Sequence, residues 1–484
     1  MNFKNITIIL APLILAGCMS VDSQVAKKPT VYWKAPKEAM PEKFIDINQI
    51  ETSKIVSENK AKTPSEKIAN KEPLLLTDLI DIALENNTQT RQYWFQAKIY
   101  AAQKGKVDSQ YLPTVDLSVQ AYRDKTKVLT YATPAIGSFY ETGYGPTLEL
   151  NWLLYDFGKR EASSLSAKES LRAANFDYNQ SIQDLVLQVN EAYFNLYDAM
   201  GSVKASIADL EDAETAYKSA KERLDQGVGN KQDMLRALAN AKNALFLVEK
   251  DSGLVETARA NLAKVLSIQV SSDIIISEDI SIPTSQEAQE SVDSLMAQAL
   301  KRREDILAAY ARLRASEADT KVAEKEYMPK IGLSASAQWL DYTDSPYINA
   351  PYYNYSLGLS LSWSVFDGFN RQYEIISKKA SENAQAQELK AYMVEIVSNV
   401  WAYYYSYQSA IKQVESAKAA MQAANESYIA TKTGYDNGVN SLTDLLSAQS
   451  FLATARQQHV TANSNLAISI ARLAHSTGLL FNQE

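Results

Sequence analysis

Residues 355–365 read YSLGLSLSWSV, and this stretch decides the fold because large apolar and small polar residues alternate along it without a break. The face with the large residues consists of Tyr355, Leu357, Leu359, Leu361, Trp363 and Val365. A period of two residues is typical of a β-strand with two different faces. A tilted strand of about 9–11 residues spans a bilayer, so the stretch predicts either a membrane strand or part of a soluble β-sandwich.

Three further stretches show the same alternation, at residues 115–121, 147–155 and 331–339. Tyrosines cluster near the outer ends of the four strands, as expected at a membrane–water interface: Tyr122, Tyr140, Tyr144, Tyr342, Tyr352 and Tyr353. Four strands cannot close on themselves, and an open edge in hydrocarbon leaves backbone groups unpaired. Membrane barrels begin at about eight strands, and their interior is then filled by side chains. A barrel with a usable bore therefore needs a ring of at least three copies of the chain.

The chain is an internal duplication. Tyr111-Leu112-Pro113 recurs 216 residues later as Tyr327-Met328-Pro329. Between the two strands of each β-hairpin, in 124–147 and 341–355, the offset becomes 211 residues. The matching pairs then include Trp152 and Trp363, Asp156 and Asp367, Arg160 and Arg371, Gly227 and Gly438, and Asp233 and Asp444. The two offsets differ by five residues, and an insertion or deletion of that size belongs in an exposed loop.

Each repeat is predicted to contain one helix, a β-hairpin and a long helical hairpin. The first helices cover 78–110 and 291–327, the β-hairpins 114–155 and 330–366, and the helical hairpins 159–268 and 369–476. Apolar residues recur every seven positions from Ile182 to Leu224 and from Met393 to Tyr435, which is typical of coiled coils. A helix from Lys159 to Asp225 would be roughly 100 Å long, and the alternative of a helical bundle core does not explain that length.

The N-terminus carries a secretory signal. An apolar run at 6–16 follows Lys4 and is too short to span a bilayer. Leu15-Ala16-Gly17-Cys18 resembles the lipobox of bacterial lipoproteins, which implies that Cys18 is a lipid anchor, and Met19 after it implies sorting to the outer membrane. An ordinary signal peptide with an incidental cysteine is the alternative.

The predicted organisation has six parts. These are a lipoprotein signal peptide at 1–17, a lipid-anchored extended leader at 18–73, a first repeat at 74–270, an equatorial linker at 271–290, a second repeat at 291–478 and a tail at 479–484. The leader is polar and rich in proline, with Trp33 and Phe44 as candidates for packing on the folded body.

Composition excludes several functional classes. One cysteine and two histidines cannot build a typical zinc or haem site, and a net charge of −8 without a basic stripe argues against nucleic acid. Glycine-rich phosphate loops and a G-x-S-x-G turn are absent from the sequence. We therefore predict that the protein is not an enzyme and uses no cofactor or metal.

Jointly, the motifs resemble the TolC family of outer membrane efflux proteins, from about residue 74 to residue 478. The motifs are the lipobox, Tyr-x-Pro before each first strand, LYDFGKR at 154–160, VFDG at 365–368 and Gly-x5-Asp at each helical turn. The resemblance implies an α+β membrane protein in which three copies form a 12-stranded β-barrel, continued into the periplasm by a long 12-helix α-barrel.

The resemblance also implies a function. The chain would be the exit duct of a tripartite export system for drug efflux or type I protein secretion, lipid-anchored in the cell outer membrane and extending into the periplasm. Its partners would be two further copies, a periplasmic adaptor protein and an inner-membrane pump of the RND or ABC type. A structural or adhesive lipoprotein with a coiled-coil stalk is the alternative, although the polar strand faces favour an open lumen.

The same resemblance places a gate at the periplasmic tip. By position, Asp233 and Tyr435 match a linked pair, and Asp444 matches an acid of a ring that faces the lumen. Ser447 stands where some members carry a second acid. The glycine turns, with Gly227, Val228, Gly438 and Val439, are the candidate adaptor-contacting tips. Simple turn chemistry explains these glycines equally well, and helix capping by Asp233 and Asp444 is an alternative that is compatible with gating.

Overall fold

The computed structural model describes residues 24–34, 73–129, 136–270, 274–277, 290–343 and 350–479. Cys18 and Phe44 lie outside these residues. The chain divides into two compact units, of which the first includes Gln96–Ala174 and Ala308–Leu389. The second includes Ala26–Phe95, Asn175–Leu307 and Lys390–Glu484.

The first unit contains one antiparallel sheet with the strand order β1-β2-β3-β4. Its strands are β1 (Thr114–Leu129), β2 (Ile136–Tyr155), β3 (Lys330–Tyr342) and β4 (Tyr352–Ser362). The register aligns Leu117, Leu148, Ala337 and Tyr355 across all four strands. Because a strand alternates with period two, this alignment gathers the apolar side chains on one face of the sheet.

The predicted end of the last strand is wrong by a few residues. The alternation continues to Val365, but β4 ends at Ser362, which pairs with Lys330 at the start of β3. A strand needs a hydrogen-bonded neighbour, and β3 supplies none beyond Lys330. Trp363 instead donates its indole N–H to the Tyr327 carbonyl at 3.0 Å.

The helices repeat in the same order in both halves of the chain. The first repeat has α1 (Leu76–Asn86), α2 (Thr88–Asp108), α3 (Lys159–Asp225) and α4 (Lys231–Leu266). The second has α5 (Val292–Arg302), α6 (Glu304–Lys325), α7 (Asn370–Asp436) and α8 (Leu442–Thr477). Within the second unit, α1 packs on α4 and α5 packs on α8, so the duplication is visible in the packing.

The prediction of one helix before each β-hairpin is wrong, because the structure has two helices there. The breaks fall at Asn87 and Arg303, whose backbones are extended. The Asn87 side chain accepts from the N–H groups of Gln89 and Thr90 and so caps α2. Arg303 is held by Asp305 and by the Ser476 carbonyl. No helix in the described part of the chain is both long and apolar enough to cross a bilayer.

Candidate functional site

One side-chain arrangement joins the first β-hairpin to its long helix. The backbone N–H and Nε of Arg160 both donate to Asp156 Oδ2, at 2.8 and 3.2 Å, and both residues are buried. The guanidinium carbon lies 4.7 Å from the centroid of the Tyr111 ring. The two terminal guanidinium nitrogens donate to the carbonyls of Gln110, Leu153 and Leu154. A single arginine thus fixes the direction in which α3 leaves the sheet.

The second repeat builds the same junction with fewer bonds. Arg371 Nε donates to Asp367 Oδ2 at 2.8 Å, and the guanidinium lies 4.5 Å from the Tyr327 ring centroid. The indoles of Trp152 and Trp363 donate to the carbonyl of the tyrosine in their own repeat, at 2.9 and 3.0 Å. The Tyr-x-Pro, Trp and Asp-x-x-x-Arg motifs are therefore parts of one structural unit that occurs twice.

The turns that follow α3 and α7 share one geometry. Gly227 and Gly438 have φ values of 76° and 77°, in the left-handed region where a Cβ is strained. The N–H groups of Val228 and Val439 each donate to the carbonyl five residues earlier, at 2.9 and 2.7 Å. The two valine side chains project into solvent, 69% and 81% exposed. Each helical hairpin thus ends in a rigid turn with an apolar tip.

Asn230 and Ser441 cap the helices that follow the turns, and the carboxylates of Asp233 and Asp444 accept hydrogen bonds from these caps. Ser441 donates to Asp444 Oδ2 from its backbone N–H at 3.0 Å and from its hydroxyl at 2.7 Å. These bonds hold the pKa of the exposed Asp444 carboxyl below its usual range, so the group is ionised at neutral pH. Asp233 and Asn230 form the matching pair in the first repeat, with bonds of 2.7 Å in each direction.

Tyr435 is buried at the tip and contacts Arg223 directly. Arg223 Nη1 donates to the Tyr435 carbonyl at 2.7 Å, and its guanidinium carbon lies 5.0 Å from the ring centroid. Burial raises the pKa of the Tyr435 hydroxyl, Asp233 and Asp436 raise it further, and Arg223 opposes this rise. Asp233 is therefore close enough to influence Tyr435 electrostatically, while Arg223 is the residue that holds it.

A second polar link between the repeats lies further up the hairpins. Arg456 pairs with Asp209 and with Asp212, at 3.0 Å in the latter case. The Asp212 carboxylate also accepts from the Tyr428 hydroxyl at 3.0 Å, and the Asp212 carbonyl accepts from Gln449 at 2.8 Å. Burial, followed by the charge of Asp212, raises the pKa of Tyr428 to about 12. These bonds tie α3 to α7 and α8 within one chain.

Our sequence interpretation missed Arg223, Asp212 and Arg456. A comparison of the two repeats contains the signal, because the equivalent positions 211 residues away are the uncharged Gly434, Ala423 and Leu245. In each of these three cases the charge is present in one copy and absent from the other.

The model of the family described as outer membrane efflux protein matches residues 79–267 and 295–479, one segment for each repeat. The chain belongs to this family. A curated relative, protein CyaE of Bordetella pertussis, is 27% identical over 409 residues, covering 84% of each chain. These matches confirm the predicted family, and the chain is an outer-membrane export channel that extends into the periplasm, not an enzyme.

Solved structures of outer-membrane channels show the same fold. OprN superposes with a TM-score of 0.73 at 21% identity, over 93% of this chain and 99% of its own. CmeC of Campylobacter jejuni superposes with a TM-score of 0.75 at 20% identity, over 84% of this chain and 86% of its own. The predicted α+β class with an internal duplication is confirmed.

Proposed function

We propose that three copies of this chain form one passive exit duct, a 12-stranded barrel continued by a 12-helix tunnel. The observation that carries this proposal is the four-stranded sheet with β1 and β4 as its edges. In a bilayer, each unpaired edge group costs several kcal/mol, so β1 of one copy pairs with β4 of the next. On the outward face, Leu357, Leu359 and Leu361 are 65–77% exposed and meet lipid.

The long helices support the same assembly. The α3 helix buries Ile182, Val189 and Leu196 within the chain. The matching helix of the second repeat, α7, leaves Val394 71% exposed and Trp401 49% exposed. Large apolar groups left in solvent mark an interface, and neighbouring copies cover them in a closed ring.

The duct's other partners are a periplasmic adaptor and an inner-membrane pump of the RND or ABC type, which supplies the energy. The adaptor contacts the turns with Gly227, Val228, Gly438 and Val439, whose apolar tips are exposed on a rigid backbone. Cys18 carries the lipid that holds each copy at the outer membrane. Photocrosslinkers placed at 226–230 and 437–441 would identify the adaptor and, through it, the class of the pump.

The gate consists of Asp233, Tyr435 and Asp444, with Arg223 as the residue that holds Tyr435. In the closed state, Arg223 ties the end of α3 to the end of α7. Three ionised Asp444 carboxylates around the axis attract cations and narrow the entrance. Opening separates the two hairpins of each copy at the Arg223–Tyr435 contact.

Replacing Arg223 by alanine is expected to raise the time-averaged conductance per purified trimer several-fold in planar bilayers. The substitution removes the contact that holds Tyr435, so the tip spends more time open. Arg236→Ala, at an exposed arginine of α4, is the control and should leave conductance unchanged. Equal conductance of both variants would remove Arg223 from the gate.

A second arm of the same experiment tests the acidic ring. Asp444→Asn removes the charge and keeps a polar side chain for the cap. The concentration of a trivalent cation that halves the current should therefore rise by about tenfold or more. An unchanged block would show that Asp444 only caps α8.

A further inference from the structure

A short segment near the N-terminus is bound to the second unit. We call residues 26–34 the strap. The Trp94 indole donates to the Ala26 carbonyl at 2.8 Å, and the Tyr178 hydroxyl donates to the Val31 carbonyl at 2.9 Å. The body thus recognises the strap through its backbone, and the contact is built by side chains of α2 and α3.

Trp33 anchors the far end of the strap. Its backbone N–H donates to Asn179 Oδ1 at 2.8 Å, and its carbonyl accepts from Asn179 Nδ2 at 2.9 Å. The indole lies edge-on to the Phe176 ring at 5.4 Å and is 9% exposed. A paired amide and a buried aromatic side chain give this site both orientation and affinity.

The strap also closes over a buried carboxyl group. The Tyr32 hydroxyl donates to Glu304 Oε1 and accepts from Gln183 Nε2 at 3.1 Å. Glu304 is 8% exposed, and its Oε2 is buried with no hydrogen-bond partner among the described residues. Burying a carboxylate with one unsatisfied oxygen costs far more than burying the neutral acid.

The charged groups around Glu304 do not compensate its charge. Asp305, next to it on α6, is acidic. Arg303 is the nearest cation along the chain, but it pairs with Asp305 at 2.6 Å and donates to the Ser476 carbonyl on α8. From α3 the neutral amides of Asn179 and Gln183 face the site. The strap itself contributes the neutral Tyr32 hydroxyl.

We propose that the strap is a proton-linked latch, which docks tightly while Glu304 is protonated and loosens when Glu304 ionises. Burial raises the pKa of Glu304 to about 7, against the smaller opposing effects of Tyr32 and Asn179, and the charge of Asp305 contributes the smallest effect, a further rise. Release of the strap returns Glu304 to water and to its ordinary pKa, so the docked state binds the proton more strongly. Docking is therefore strongest below the ordinary pKa and weakens as pH rises to about 7.

If Cys18 is acylated, as proposed above, the latch also sets the length of the membrane tether. Seven residues, and therefore eight Cα–Cα steps, separate Cys18 from Ala26. They span at most about 28 Å when fully extended. Release of the strap frees its own nine residues as well, so the body can move further from the anchored end. The latch itself is independent of the proposed gate and of acylation, because it consists of contacts inside the second unit.

Hydrogen exchange of the strap tests the latch on the full chain in detergent. We expect the opening equilibrium constant of the Trp33 amide, corrected for intrinsic exchange, to rise roughly fiftyfold between pH 5 and pH 7.5. Glu304→Gln keeps an acceptor for Tyr32 without a charge, so its strap should stay protected at both pH values. Glu211→Gln, at an exposed site on α3, is the matched control and should behave as the wild type.

Two outcomes would overturn the proposal. One is a wild-type opening constant that does not change with pH, which requires no variant to fold. The other is a Glu304→Gln protein whose strap loosens with pH as much as that of the wild type. Loss of the pH response in Glu304→Gln but not in Glu211→Gln assigns the proton to Glu304.

Discussion

Arg160→Ala is expected to abolish the accumulation of trimer in the outer membrane. Asp156 would remain buried without its partner, and three backbone carbonyls would lose their donor. Breaking a buried ion pair by removing one member costs about 3–5 kcal/mol, a large part of the stability of a typical domain. The measurements are the amount of trimer in outer-membrane fractions and the temperature at which the remaining trimer dissociates.

The duplication supplies the control for this experiment. Arg371→Ala removes the equivalent residue, but the Asp367 side chain is 25% exposed, against 6% for Asp156. Water can therefore hydrate the unpaired Asp367 carboxylate in the second repeat. We expect a smaller loss of folding stability, of about 1–3 kcal/mol. Arg160→Lys should remain defective, because an ammonium group cannot reproduce the planar fork of donors. A normal yield of Arg160→Ala trimer, or a larger defect in Arg371→Ala, would contradict the role of the junction.

Leu359→Arg is the second substitution expected to have a large effect. Leu359 lies in β4 on the apolar face and is 71% exposed in the single chain. An arginine facing lipid near the bilayer midplane costs about 2–4 kcal/mol, and a trimer would carry three of them. We expect the variant to be made and exported to the periplasm but to fail to insert, as measured by its absence from the outer-membrane fraction.

The neighbouring residue gives a strict control. Ser360 is adjacent in β4, so its side chain points to the opposite face of the sheet. In a barrel that face lines an aqueous lumen, where Ser360→Arg is tolerated and changes only ion selectivity. If both variants inserted equally well, or if Ser360→Arg were the more damaging change, the assignment of lipid and lumen faces would be wrong.

Most of the fold could be predicted from sequence because it rests on periodic patterns. The alternation in residues 355–365 fixes a strand with two faces, and the heptads from Ile182 to Leu224 fix a long helix. The alternation is weaker in the first repeat, and the duplication assigns the strands there by comparison with the clearer strands of the second repeat. The structure places the helix α3 at Lys159–Asp225 and the turn glycines directly after each long helix, where such patterns end.

The features that escaped prediction depend on partners distant in the chain. The helix break at Asn87 has no proline or glycine to mark it, since the cap is a side-chain bond that propensity does not reveal. The end of β4 at Ser362 is set by where β3 begins. Arg223 and Tyr435 stand 212 residues apart, and the Tyr32–Glu304 contact joins residues 272 apart. No local pattern encodes such contacts.

The most direct test of the duct is conductance of the purified, detergent-extracted protein in a planar bilayer, after its mass has been determined. We predict a trimer that inserts and conducts ions with discrete steps, because only several copies together can close the sheet of this chain. A water-soluble monomer, or a trimer that inserts without passing current, would contradict the account and leave a membrane-anchored stalk as the better description.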